Sequence, residues 1–176
     1  DGRMMNIADF NQDGRAELYY VNEIRDAQNG QLIVQGTHNQ GSRNQQWDNH
    51  LNGISVAVDI LPDSYCTDCQ GLELILGHII YAVDIANGQL TEVLNMNNTA
   101  TKVLVNPMNG FTYTNTDRYQ PKKAQFGTQN FSSTSVVDLN EDGNLDVVLS
   151  GTLNNSQRGP SMVFFWDIAN SSVRAR

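Results

Sequence analysis

An apolar run ending in aspartate, a polar loop, and an acidic residue opening a second apolar run: this unit occurs three times in the 176-residue chain and limits the folds open to it. The first copy runs from Met5 through Asp9 and Glu17 to Val21, the second from Ile54 through Asp59 and Glu73 to Gly77, the third from Thr134 through Asp138 and Asp146 to Gly151. The likeness continues downstream, where Glu23 leads to Asn29-Gly30, Ile79 to Asn87-Gly88 and Met162 to Asn170-Ser171. Asn-Gly between β-branched runs marks a tight hairpin, because both central residues of a type I′ turn need positive φ. Each copy therefore reads as four antiparallel strands, with the acidic loop between the first two.

Four-stranded units repeating every 40 to 50 residues or so are the mark of β-propeller blades. Asp9 and Asp59 are 50 positions apart, which fits; Asp59 and Asp138 are 79 apart, too far for one blade. The excess falls at about 96–129, rich in Asn and Thr and containing Asn109-Gly110; it reads as an insertion carrying a hairpin or as a degenerate extra blade. The expected architecture is all-β: part of a β-propeller, with three four-stranded blades at about 4–36, 54–95 and 134–176. Three blades do not close a ring, so the expected native object is longer than this chain or is an assembly.

Two of the loops carry the chemistry. One is Asp9-x-Asn11-x-Asp13-Gly14-Arg15-x-Glu17; the other is Asp138-x-Asn140-x-Asp142-Gly143-Asn144-x-Asp146. Oxygen-bearing side chains stand at loop positions 1, 3, 5 and 9, glycine at 6 permits a sharp reversal, and position 7 (Arg15 or Asn144) offers its backbone carbonyl. Such a hard-oxygen set suits Ca²⁺, which takes six to eight oxygens at about 2.3–2.6 Å, better than Mg²⁺ with its strict octahedron. No soft ligand is present for zinc or copper. Each loop brings three carboxylates together at positions 1, 5 and 9, and without a cation they repel. An EF-hand needs a bidentate glutamate at position 12 between helices. Here position 12 is Tyr20 or Leu149 and the flanks have strand character, so that reading is excluded.

Strand, D-x-N-x-D-G-x-x-[DE], strand resembles the FG-GAP and VCBS-type repeats of calcium-binding β-propellers, the class that includes the integrin α-subunit head. The likeness is strong over 5–21 and 134–151, weaker over 54–95 and absent over 96–129. It implies a Ca²⁺ ion in each of the two loops, held by Asp9, Asn11, Asp13, Arg15 and Glu17 and by Asp138, Asn140, Asp142, Asn144 and Asp146, stiffening a blade at the propeller rim. The FG-GAP consensus itself is not cleanly present, Phe126-Gly127 being its nearest fragment.

The middle copy departs from the pattern, with 13 residues between Asp59 and Glu73 in place of seven. They include Pro62, Asp63 and the chain's two cysteines, Cys66 and Cys69. Either Asp59, Asp63 and Glu73 form a degenerate site, or a local disulfide staples the loop where the others use an ion. A zinc ribbon lacks its second ligand pair.

The chain carries 11 basic and 19 acidic residues, a net charge of −8, which argues against gripping nucleic acid or an anionic membrane surface. No apolar run has bilayer-spanning length. Charged residues are only 17% of the total, the cysteines fit an oxidising compartment, and Asn97, Asn130, Asn154 and Asn170 match the N-glycosylation acceptor pattern. The chain opens on Asp1 with neither initiator methionine nor signal peptide, and is expected to be a processed product or fragment. These features set the expectation of a secreted or cell-surface module that meets a protein or glycan partner, with Phe111, Tyr113 and Tyr119 as contact aromatics. Two other readings stand beside it. One is a filament or scaffold subunit joined through exposed strands. The other is a secreted polysaccharide lyase, since propeller lyases acting on rhamnogalacturonan carry similar loops; its candidate residues, His50, His78, Lys122 and Lys123, are scattered along the chain.

Overall fold

The computed structural model describes residues 5–36, 54–99, 101–105, 112–113, 133–152 and 161–175. Within them the chain is all-β, with a single 3-10 turn at Met96–Asn98. The first repeat forms an antiparallel meander of β1 (Asn6–Ala8), β2 (Glu17–Tyr20), β3 (Glu23–Asp26) and β4 (Leu32–Gln35). The second forms another from β5 (Val56–Val58), β6 (Glu73–Leu76), β7 (Ile79–Asp84) and β8 (Gln89–Asn95). Next come β9 (Thr101–Val105) and β10 (Thr112–Tyr113), and then the third meander: β11 (Ser133–Val137), β12 (Asp146–Thr152), β13 (Ser161–Asp167) and β14 (Ser172–Ala175). β9 lies parallel to β14 and antiparallel to β10, so the third sheet has six strands in the order β10-β9-β14-β13-β12-β11.

The three sheets stack on one another through their alternating side chains. In the first sheet, Tyr19 and Ile24 pair across strands and so share a face. With Phe10 and Val34 that face packs on Leu74, Leu76, Tyr81 and Val83 of the second sheet. The reverse face of the second sheet, bearing Ile75, Ile80 and Ala82, packs on Val147, Leu149, Phe164, Trp166 and Val173 of the third. The second sheet is thus covered on both sides, which explains why all four residues of β6 are buried and β6 shows no polar alternation. Two close approaches lock the first seam. Leu72 N–H donates to the Phe10 carbonyl at 2.9 Å, and Ala57 N–H donates to the Tyr19 hydroxyl at 3.1 Å.

The Asn-Gly hairpins differ from the expected two-residue type I′ turn. β7 and β8 are joined by the four residues Ile85 to Gly88, and only Gly88 is left-handed, at φ 67°. The reason is an aspartate three residues before each asparagine. Asp84 accepts the Asn87 backbone N–H at 2.9 Å and its side-chain amide at 2.6 Å, and the asparagine keeps a negative φ. Asp26 with Asn29, and Asp167 with Asn170, repeat the arrangement. The left-handed positions there are Gly30 at φ 73° and Ser171 at φ 47°.

Candidate metal centre

Both nine-residue loops bridge the first two strands of their sheet and are closed by the same hydrogen bonds at the same positions. Asp9 accepts the backbone N–H of Asp13 at 3.0 Å on Oδ1 and of Gly14 at 2.8 Å on Oδ2. Asp138 accepts those of Asp142 at 3.2 Å and Gly143 at 2.8 Å in the same way. Asp13 and Asp142 each accept the N–H of position 7, Arg15 or Asn144, at 2.8 Å. Asn11 and Asn140 each donate a side-chain N–H to the position-5 carboxylate at 3.0 Å. The backbone that allows this is shared too. Position 4 is left-handed (Gln12 at φ 56°, Glu141 at φ 60°), and the position-6 glycine lies at φ 86° in both loops. A side chain at position 6 would meet open space, so glycine is needed there for its backbone alone.

The ninth position anchors each loop to its sheet. Glu17 accepts the Phe10 N–H at 2.9 Å and Asp146 the Leu139 N–H at 3.0 Å, and both acids are buried. Glu73 of the middle copy does the same for Ile60 and Leu61 at 3.0 and 3.1 Å. All three acids are pushed above the ordinary carboxylate range, first by burial. For Glu17 the charges of Asp9, Asp13 and Asp26 add to this, for Asp146 those of Asp167, Asp142 and Asp138, and for Glu73 that of Asp59. Backbone N–H donation opposes the shift in each case without cancelling it.

Among the described residues no set of three or more His, Cys, Asp or Glu side chains lies within metal-holding distance. Two features nevertheless fit a hard cation. Asp146 is 1% exposed, and its Oδ1 has no hydrogen-bond partner. The three like charges around it raise the cost of its ionised form, which a divalent cation would offset. Each oxygen already bonded to an N–H also keeps a second lone pair.

Two carboxylates outside the nine-residue pattern lie opposite the ninth-position acids. Glu17 pairs directly across strands with Asp26. In the third sheet Val147 pairs with Trp166, which brings the preceding Asp146 opposite Asp167; Asp167 also accepts an Asn140 side-chain N–H at 3.3 Å. Like charges facing each other across a ladder are destabilising unless neutralised. The recurrence of Asp three residues before Asn in every copy was the available signal; seeing that it faces the loop requires the strand register. In the second sheet β7 extends further, and Asp84 lies beyond Glu73.

The middle loop is built differently. Cys66 and Cys69 form a disulfide, and Cys69 and Leu61 are buried in the core between the second and third sheets. Of the three acids considered for a degenerate site, Glu73 is buried and feels Asp59, while Asp63 is exposed. The disulfide-linked loop sends Leu61 and Cys69 into the core between the second and third sheets, as the first loop sends Phe10 into the core between the first and second.

His78 sits in the β6–β7 turn, 3% exposed, and burial pulls its pKa down to about 4. It is neutral at pH 7 and closed to a polymeric substrate. His50, Lys122, Lys123, Phe111, Tyr119, Phe126-Gly127, Asn130, Asn154 and the Asn109-Gly110 pair lie outside the described residues, as does the side chain of Tyr113.

Comparison with protein-family models, with curated proteins and with solved structures finds no match to this chain.

Proposed function

We propose that the chain is a calcium-stabilised β-propeller module of a secreted or cell-surface protein, a non-catalytic scaffold for adhesion or assembly. In this reading each four-stranded meander is a blade. Asp9, Asn11, Asp13, Glu17 and the Arg15 carbonyl would hold one Ca²⁺; Asp138, Asn140, Asp142, Asp146 and the Asn144 carbonyl would hold a second. Calcium neutralises the buried carboxylates and fixes the first strand of the blade to the second. The single observation that carries the reading is the identity of the two loop networks: same bonds, same left-handed positions and same buried ninth acid, at the same place in two repeats. The stacking of successive sheets through opposite faces supports the blade reading. The partner is a protein or glycan at the cell surface.

The test is thermal unfolding with calcium and with chelator. Calcium raises the melting temperature of the parent chain, because a ligand that binds only the folded form stabilises only that form. Asp9→Ala and Asp138→Ala each remove part of that rise; both also lose two loop hydrogen bonds in chelator, so the readout is the calcium-induced rise and not the absolute melting temperature. A melting temperature indifferent to calcium overturns the proposal.

A further inference from the structure

Six of the seven large apolar side chains exposed among the described residues lie on the two outer ends of the sheet stack. Ile7 and Leu32 lie on the outward face of the first sheet, with Met5 just before β1; Val137 and Val163 lie on that of the third, with Leu139 in the loop that follows β11. The seventh, Tyr65, is on the disulfide loop.

These two ends are the two halves of a seam that already occurs twice inside the chain. Glu17, Glu73 and Asp146 are equivalent positions, so the faces of the three sheets can be matched. In the first seam the face that carries Glu17 meets the reverse face of the second sheet; in the second seam the face that carries Glu73 meets the reverse face of the third. The third sheet turns its Asp146 face outward, and the first sheet turns its reverse face outward. Phe10 shows what is missing. It follows Asp9, donates its N–H to the ninth acid, and is 1% exposed beneath the second sheet; its equivalent Leu139 follows Asp138, donates to Asp146, and is 46% exposed.

We propose that a second copy of this chain docks head to tail, the outward face of its first sheet covering the outward face of the third. The contact is heterologous, one kind of face on the other, because that is how successive sheets already meet. It is weaker than the internal seams. At the centre of the open face on the first sheet, Glu23 bonds Tyr20 and Arg25 where the second sheet has Ile79 and Tyr81. Arg174 likewise stands where the second sheet has Leu94. Polar substitution of this kind suits a reversible, concentration-dependent contact.

The proposal deepens the assembly part of the function above and rests on its stacking of blades, though not on calcium. The test is sedimentation equilibrium of the parent chain and of Val163→Arg and Ile7→Arg, one on each open face, with circular dichroism and melting temperature to verify the fold; Leu139→Arg and Leu32→Arg replace either variant that fails to fold. The parent mass rises with concentration to twice the monomer or more. Each variant alone stays monomeric, and an equimolar mixture forms a two-copy species, since each brings the face the other has lost. A parent chain that stays monomeric throughout, a single variant that still self-associates, or a mixture that stays monomeric overturns the docking. A calcium titration on the same parent sample separates the two ideas: calcium bound by a lasting monomer sinks the docking alone, and association without calcium binding sinks the metal reading alone.

Discussion

Asp146→Asn keeps the shape of the ninth-position side chain, removes its charge, and acts differently with and without calcium. Asp146 is buried among Asp138, Asp142 and Asp167, with Oδ2 bonded to the Leu139 N–H and Oδ1 unpaired. In chelator, the substitution exchanges a hydrogen bond to a charged acceptor, worth about 1.5–3 kcal/mol, for a neutral one worth about 1 kcal/mol. It also relieves the burial and repulsion of a carboxylate, so the two changes oppose each other. The net effect should fall within about 1 kcal/mol, or roughly 2–4 °C for a chain of this size. In calcium the balance shifts. A site held at 100 times its Kd contributes about 2.7 kcal/mol. Losing a charged ligand and with it about a hundredfold in affinity leaves about 0.4 kcal/mol at the same calcium concentration. The loss is then about 2.3 kcal/mol, or some 5–9 °C, against a nearly unchanged chelated value. The first loop is untouched, so about half of the parent's calcium-induced rise should survive. Differential scanning calorimetry under both conditions measures all four values. An equal drop in calcium and in chelator would contradict this role, since it would make Asp146 a structural acceptor and nothing more.

Other outcomes follow from the same contacts. Glu17, Glu73 and Asp146 have folded-state pKa values above their ordinary 4.5, 4.5 and 3.8, so in chelator the folded state holds their protons more tightly and their contribution to stability falls as pH rises through that window. At the proposed sites protons compete with calcium for Glu17 and Asp146, so the calcium-induced rise in melting temperature should shrink as pH falls from 7 toward 4; a constant rise over that range contradicts the proposed ligand set. Gly143→Ala should cost only the left-handed backbone penalty of about 1–2 kcal/mol, since its Cβ meets open space. Gly71→Ala should cost more, because its Cβ would stand 2.2 Å from the Phe10 carbonyl that seals the first seam; comparable denaturant midpoints for the two would contradict this. Reducing the Cys66–Cys69 disulfide, which closes a very short loop, should cost about 2 kcal/mol on the loop-entropy model and leave the calcium-induced rise unchanged; loss of that rise would tie the disulfide loop to the metal sites.

The all-β class and the strand–loop–strand units were legible because β-branched and aromatic runs alternate with Asp-, Asn- and Gly-rich breaks, as in Val56–Val58, Glu73–Leu76 and Ser133–Val137. The oxygen spacing of the two loops was legible for a similar reason: glycine at position 6 and acids at 1, 5 and 9 are local requirements. What could not be read depends on register and on neighbours distant in the chain. Asp26 and Asp167 face the ninth-position acids only because the β2–β3 and β12–β13 hairpins pair as they do. The parallel pairing of β9 with β14 joins segments about 70 residues apart, and no local pattern announces it. The hairpin turns misled because Asn-Gly favours type I′ in isolation, whereas a preceding aspartate caps the asparagine and leaves only the next residue left-handed. The fully buried β6 carries no alternation to say which side chains face which sheet; only the stack on both sides reveals that.

The most direct measurement is a calorimetric titration of the calcium-depleted chain with Ca²⁺. Two equivalents bound per chain, falling to one in Asp9→Ala and to one in Asp138→Ala, is the predicted result. Absence of binding at millimolar calcium, or a stoichiometry of two that survives both substitutions, contradicts it.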